Sequence, residues 1–314
     1  MMKAVVIHAF GGNEVVEVRD MPMPSVEPDD VLIRVRAAGV NPVDWKTREG
    51  QTRIVVGSRF PKVLGSECSG EVVQMGSRAT KWKPGDPVIA TTGFRLGAYA
   101  EFVAVAEKNV FAKPSGVSFE EAAGVPIAGM TALIGLRDKG KVAAGRKVLI
   151  NGASGGVGTF AVQIAKLYSA DVTAVCSHAN ESLVRGLGAD RVIDYHHRDF
   201  TLSGERYDIV FDTVSSRSFG ECKKVLSDRG VYVNTLPSFS IFRDILLTSL
   251  FPGKKAATIM AGFRDADMDW LRGQLEAGRI KVVLDKVYPL ERVKDALAYS
   301  QTGRVRGKVV LKVI

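Results

Sequence analysis

Cysteine, histidine and aromatic residues are scarce in this chain of 314 residues, and long apolar runs are missing. The three cysteines, Cys68, Cys176 and Cys222, are far apart and odd in number, so they give no disulfide framework. A reducing cytoplasm is the expected compartment. The four histidines, His8, His178, His196 and His197, show no spacing with Cys or Asp that builds a three-ligand metal site. The adjacent pair His196-His197 reads as solvated. No apolar stretch approaches the roughly 18 residues of a membrane span. The start, Met1-Met2-Lys3-Ala4-Val5-Val6-Ile7, reads as a first strand and not as a signal peptide. No internal repeat or low-complexity segment is visible. Only 8% of residues are aromatic and no recognition motif for nucleic acid appears, so nucleic acid is not an expected partner despite a net charge of +9.

Hydrophobic residues make up 46% of the chain, enough for sizeable cores, and the length suggests two domains. The most informative stretch runs from Lys147 to Leu167. Val148 to Ile150 is a short apolar run that suits a buried parallel strand. The glycine-rich turn Ala153-Ser154-Gly155-Gly156-Val157-Gly158 follows. Val157, Ala161, Ile164 and Ala165 then recur at helical spacing. Strand, glycine turn and helix together make a phosphate cradle. Backbone without Cβ comes close to the ligand, and the N–H groups and positive dipole end of the new helix point at a pyrophosphate. Ala153 stands where the first glycine of the dinucleotide fingerprint usually falls.

The next strand, Asp171–Cys176, bears on which dinucleotide binds. An NAD site usually places Asp or Glu at its tip, about 20 residues past the glycines, against the ribose 2′-hydroxyl. The tip here is Ser177-His178-Ala179-Asn180, with no acid. Ser177 and Asn180 can donate to a 2′-phosphate, which points to NADPH. Either could instead cap a helix starting near Glu181. Arg185, a turn into that helix, could also reach the phosphate. The basic stretch from Trp45 to Lys62 is either a solvated loop or a collar that draws in a phosphorylated cofactor.

Three blocks follow one another along the chain. Residues 1–122 hold short strand-like runs at 31–35, 70–73, 87–90 and 101–105, separated by turns, which suggests a β-rich domain. Residues 123–277 alternate strand and helix, with further strands at 191–194, 208–212, 230–234 and 256–260. That alternation implies a doubly wound parallel sheet. Residues 278–314 return to strand signals at 282–284 and 309–311 and are expected to rejoin the first domain. The fold class is therefore α/β, a β-rich domain plus a Rossmann sheet.

Seven ordered motifs carry a resemblance over nearly the whole length. They are Ala37–Asp44, Leu64–Val72, Lys83–Val88, Gly129–Ala132, the loop at 151–158, Gly188–Tyr195 and Gly307–Leu311. The chain resembles the medium-chain dehydrogenase/reductase superfamily, in its zinc-free quinone oxidoreductase branch. The resemblance implies a GroES-like domain from 1–122 and 278–314, and a Rossmann domain at 123–277. It suggests Asn41 near nicotinamide and substrate, Thr131 near the cofactor, Tyr195 near the adenosine ribose phosphate and Asn234 next to the nicotinamide end. Asp44 and Lys46 could form a polar relay beside the substrate, or an exposed ion pair on a loop.

Zinc-dependent relatives carry a cysteine within the segment that reads Gly39–Asp44 here, and a Gly-His-Glu that reads Gly65-Ser66-Glu67. Both ligands are replaced, and the four-cysteine structural lobe is missing, so no catalytic zinc is expected. Carbonyl polarisation must then come from hydrogen bonds. This favours hydride addition to an already electrophilic acceptor, a quinone or the β-carbon of an enone, with the cofactor supplying the chemistry. Two other readings stand beside it: a nucleotide-binding regulatory protein with vestigial redox activity, and a peripheral membrane protein. The second would use residues 239–255, an apolar segment with basic ends. That segment otherwise reads as a buried helix, a substrate lid or a dimer contact, and membrane contact is not the expected role. The strand at 256–261 carries no charge and should form an open sheet edge that pairs with a second copy, giving a homodimer.

Overall fold

The computed structural model describes residues 1–260 and 264–314, and the chain divides into two units. The first comprises Met1–Ile127, Phe263–Ala277 and Val282–Ile314. The second comprises Ala128–Gly262 and Gly278–Lys281.

In chain order the first unit contains β1 (Met2–Ile7), β2 (Val16–Met21), β3 (Asp30–Val40), α1 (Pro42–Arg48), α2 (Arg53–Val56), β4 (Lys62–Val63) and β5 (Glu67–Met75). It continues with β6 (Pro87–Thr91), β7 (Phe102–Ala106), β8 (Val110–Ala112) and α3 (Phe119–Ala123). α4 (Pro126–Leu133) leads into the second unit. There lie β9 (Lys147–Asn151), α5 (Gly156–Leu167), β10 (Asp171–Cys176), α6 (Glu181–Gly186), β11 (Arg191–Asp194) and β12 (Tyr207–Asp212). α7 (Phe219–Cys222), β13 (Leu226–Asn234), α8 (Phe239–Ser249) and β14 (Lys255–Thr258) complete it. α9 (Asp265–Glu276), β15 (Leu284–Pro289), α10 (Val293–Gln301) and β16 (Lys308–Lys312) return to the first unit.

The first unit is built on a sheet ordered β15-β16-β3-β5-β6-β8, with β7 also paired to β3, and a small sheet ordered β2-β1-β4. Its core is rich in β-branched residues, among them Val31, Ile33, Val35, Val88 and Val309, which suit a pleated surface. The expected rejoining of the C-terminal block is explicit. β16 runs antiparallel to β3, with Val309 opposite Val40 and Leu311 opposite Ala38. The strand expected at 282–284 is displaced, since β15 begins only at Leu284. α9, which the alternation of the sequence places in the dinucleotide domain, groups instead with the first unit. Lys81 pairs with Asp265 at 3.0 Å, and the Glu276 carboxylate accepts from the Ser115 N–H at 3.0 Å.

The second unit is a parallel sheet ordered β11-β10-β9-β12-β13-β14. β9, first in sequence, sits in the middle, and the order reverses direction between β9 and β12. In open α/β sheets ligands bind outside the carboxyl ends of strands at such a switch point. The strands read as near-continuous Val/Ile/Leu runs because helices cover both faces. β14 is the sheet's last strand among the described residues. The expected edge strand at 256–261 is thus realised as Lys255–Thr258, while Ala261 lies outside the described residues. The segment 239–255 is not a buried helix. α8 buries Ile241, but Phe239, Phe242, Leu246 and Leu247 are exposed.

Candidate active site

Two groups of residues carry the candidate chemistry, one in each unit. In the second unit the chain leaves β9 at Asn151 and turns through Gly152 at φ +78°, a conformation that favours glycine. The Gly152 and Ala153 N–H groups both donate to Val175 O of β10, at 3.1 and 3.0 Å. α5 then starts with Gly155 at its N-cap and no side chain bonded to its first N–H groups. Those donors have no intrahelical partner and lie open to an anion. The two glycines differ in role. A Cβ on Gly158 would lie 2.1 Å from Gly152 O and 2.7 Å from Ala153, so this position fixes helix against turn. A Cβ on Gly155 would meet only Gly152 O, at 3.4 Å, so its bareness leaves room for a ligand.

The tip of β10 joins the same site. Asn180 does not cap α6 with its side chain, as the capping reading allowed. Its Nδ2 donates to Ser154 Oγ at 3.0 Å, and its Oδ1 is buried with no hydrogen-bond partner. Ser177 is half-buried beside it and caps nothing with its hydroxyl. Arg185 pairs with Glu181 at 2.8 Å, and His178 approaches the same carboxylate at 3.3 Å. The hydrogen bond from the Arg185 guanidinium holds the Glu181 carboxyl below its ordinary range. Tyr195 is exposed at the end of β11, stacked on His196 at 4.3 Å.

The carboxyl end of the sheet is further organised by Asp212, which sequence reasoning does not single out. Its buried carboxylate accepts from Asn151 Nδ2 at 2.9 Å, from the N–H groups of Ser215 and Arg217 and from the Tyr232 hydroxyl. Asn234 is tied into this network. Its Oδ1 accepts from Ser215 Oγ at 2.7 Å, and its Nδ2 donates to Tyr232 Oη at 2.9 Å. Thr131 lies half-buried on α4. A glycine N-cap, an open Gly155 and an orphaned Asn180 oxygen beside Ser154 fit a bound dinucleotide. The residues that would hold its phosphates are Ser154 to Gly158.

In the first unit Asn41 follows β3 and is the N-cap of α1, whose Pro42 suits the first helical turn. The Asp44 carboxylate accepts from the Asn41 N–H at 2.8 Å, from Ser66 Oγ at 2.9 Å and from Tyr99 Oη at 2.8 Å. Burial pushes the Asp44 carboxyl up to about 6 against these stabilising bonds. Burial also raises the Tyr99 hydroxyl well above its ordinary value, with the Asp44 charge acting in the same direction. The Asn41 side chain is turned elsewhere: Nδ2 donates to Glu67 Oε1 at 2.7 Å, and Oδ1 accepts from Lys308 Nζ at 2.6 Å. Lys308 and Glu67 form an ion pair at 2.9 Å with side chains 3% and 0% exposed. The remaining Glu67 oxygen accepts from the Ile127 N–H at 2.7 Å.

Neither the relay nor the exposed ion pair expected of Asp44 and Lys46 is present. Asp44 is buried, and no hydrogen bond or ion pair joins the two among the described residues. Lys46 Nζ lies 5.5 Å from the Trp45 ring, with its ammonium disfavoured by burial. Sequence alone assigns no role to Lys308, Glu67 or Tyr99. The available signals are an acid opening β5 and a lysine opening the apolar run of β16.

A dinucleotide cradle at a sheet's switch point, in a chain whose other unit is β-rich with a buried polar cluster, defines a two-domain nicotinamide-dependent oxidoreductase. Residues 27–115 match the family described as alcohol dehydrogenase GroES-like domain, and residues 187–311 that described as zinc-binding dehydrogenase. A chloroplastic quinone-oxidoreductase QR1 of Triphysaria versicolor is 34% identical over 99% of this chain and 98% of its own. An Arabidopsis thaliana chloroplastic NADPH-dependent alkenal/one oxidoreductase is 34% identical over 99% of this chain and 79% of its own. The solved quinone oxidoreductase of Coxiella burnetii superposes with a TM-score of 0.92 at 31% identity, covering 100% of this chain and 99% of that one. The chain belongs to the medium-chain dehydrogenase/reductase superfamily, in its zinc-free quinone oxidoreductase branch.

The two glycines separate binding from folding. Gly155→Val should abolish dinucleotide binding in a fluorescence titration while the melting temperature holds within a few degrees. Gly158→Val should unfold the protein or lower its stability by about 1–3 kcal/mol or more, because backbone atoms cannot yield. Normal binding by the first variant would show that this loop is not the cradle.

Asp44 gives a pH signature. Its native pKa lies above the unfolded value of 3.8, so the folded state holds the proton more tightly. Stability from this group is complete below pH 3.8 and is lost as pH rises through about 6. A tenfold difference in proton affinity corresponds to about 1.4 kcal/mol, so wild type relative to Asp44→Asn should lose roughly 3 kcal/mol between those limits. Urea unfolding at several pH values measures this. A difference independent of pH contradicts it.

Proposed function

We propose that this protein is a zinc-independent, NADPH-dependent reductase of quinones or α,β-unsaturated carbonyls. The carrying observation is the polar cluster of the first unit. Where zinc-dependent relatives place their two metal ligands, this chain has Asn41 in one segment and Ser66 in the other, both engaged in hydrogen bonds to buried charged partners. Relatives named as quinone and alkenal/one oxidoreductases support the same reading.

When bound, the dihydronicotinamide supplies a hydride equivalent. The chain's own residues orient and polarise. Asn41 is held at both ends of its amide by Lys308 and Glu67, which leaves one Nδ2 hydrogen for the acceptor's carbonyl oxygen. We assign Asn41 as the group that contacts the acceptor. Asp44 is a positioning residue that fixes the start of α1 through the Asn41 N–H, and Lys46 is not retained. Thr131, Ser177, Tyr195 and Asn234 are proposed cofactor contacts beside the 153–158 loop. The missing acid at the β10 tip supports NADPH, with the nearby Glu181 paired to Arg185. Three widely spaced cysteines that give no disulfide framework support a reducing compartment, which we take as the cytoplasm. No helix among the described residues is long and apolar enough to cross a membrane.

NADPH should bind at least about tenfold tighter than NADH, on the order of 1.4 kcal/mol. NADPH oxidation should proceed with members of a quinone and enone panel and be unchanged after chelator treatment. Equal affinity for NADH would remove the cofactor assignment. Loss of activity with one zinc per chain, or no turnover with any acceptor, would remove the reaction assignment.

We also propose a homodimer that pairs β14 edge to edge, since an open strand leaves a row of unsatisfied backbone groups. Light scattering at micromolar concentration should give the mass of two 33.9 kDa chains, and Ala257→Lys should shift it towards one. A single-chain mass for the wild type contradicts the dimer.

A further inference from the structure

The outer face of α8 is not explained by the reductase reading. The helix is apolar on two sides. Ile241 and Ile245 face inward and pack on the core of the second unit. Phe239, Phe242, Leu246 and Leu250 recur at spacings of three, four and four and so share a different stripe. Phe239 is 88% exposed, Leu246 63%, Leu250 66% and Phe251 66%. Single exposed apolar residues are ordinary, but a contiguous stripe of this kind marks a binding surface.

A mainly basic corner lies beside the turn that follows this helix. Phe219, Leu247 and Phe251 line a groove of about 440 Å³ whose charged residues are Lys223, Lys254 and Asp244. Lys224 is exposed next to Lys223, and Lys254 Nζ donates to Lys223 O at 2.9 Å, drawing the turn after α8 against this basic corner. Two of the acids nearby are already partnered. Asp244 is paired with Arg243 at 2.9 Å and only 14% exposed. Glu221 is held by Arg217 and Ser218, which leaves Asp228 as the exposed acid against the three lysines. Lys255 is occupied at the helix C-terminus, where it donates to Phe251 O.

We propose that the outer face of α8, with the Leu250-Phe251 turn and the Lys223, Lys224 and Lys254 corner, docks on an anionic phospholipid surface. Phenylalanine and leucine enter the headgroup–acyl boundary, while the lysines meet lipid phosphates and carboxylates. A second copy of the chain on this same face is disfavoured, because like-charged rims would oppose one another. An already lipophilic acceptor such as a quinone would be met at such a surface. That link rests on the proposed function, whereas the docking itself does not.

Vesicle co-sedimentation tests the proposal with the full chain. Phosphatidylcholine vesicles containing phosphatidylserine should bind it at least about tenfold more tightly than pure phosphatidylcholine at low salt, and high salt should weaken the binding. Leu246→Asp and Leu250→Asp should abolish binding, and Lys223→Glu with Lys224→Glu should remove the preference for phosphatidylserine. Circular dichroism and NADPH titration should be unchanged in all of these variants, which separates this result from failure of the reductase reading. The proposal is overturned if the wild type ignores phosphatidylserine vesicles at low salt, or if Leu246→Asp binds them as well as the wild type. A fall in solution mass from two chains to one in Leu246→Asp would assign the face to a second copy. Binding to polyglutamate but not to vesicles would assign it to an acidic protein.

Discussion

The buried contact among Lys308, Glu67 and Asn41 is the constraint on which the first unit is organised. An ammonium and a carboxylate withdrawn from water each lose several kcal/mol of solvation, and the loss is tolerable only with close pairing and further hydrogen bonds. Lys308 has two acceptors and Glu67 three donors. These partners come from β16, β5, the β3–α1 junction and the start of α4. The contact therefore requires the chain to return to its first unit after building the second, and it fixes β16 against β3. It also holds the Asn41 amide in one orientation.

Function follows from the same economy of polar groups. In the second unit the turn after β9 lies at the sheet's switch point, with Gly158 locking the turn and Gly155 leaving it open, and this is the ground for the proposed phosphate site. In the first unit hydrogen-bonding side chains occupy the segments where zinc-dependent relatives place metal ligands. On the proposed function, a site of that kind orients and polarises an electrophilic acceptor, with the hydride coming from a nicotinamide.

Much of this is legible along the sequence. The strand, glycine turn and helix from 147 to 167 are local, so periodicity and a fingerprint suffice. The replaced ligands in the segments Gly39–Asp44 and Gly65–Glu67 are also read in place, once the flanking motifs are recognised. The Lys308–Glu67–Asn41 contact is different. Its members lie up to 267 residues apart, and long-range side-chain pairing leaves no periodic trace. Asp44 and Lys46 are two residues apart on α1 and so face different ways, which only the helix reveals. The apolar run in α8 reads as core because hydrophobicity alone does not say which helical face is covered. α9 reads as part of the dinucleotide domain because strand–helix alternation does not register a helix that swaps partners.

A double-mutant cycle on Lys308 and Glu67 tests the central contact most directly. Lys308→Met, Glu67→Gln and the double variant would be compared by denaturant unfolding. Removing either partner alone strands a buried charge, which typically costs about 3–5 kcal/mol, whereas removing both leaves no charge uncompensated. The double variant should be more stable than the sum of the single losses allows, by at least about 1.5 kcal/mol. Single losses that simply add, within about 0.5 kcal/mol, would show that the pair is not the constraint that organises the unit.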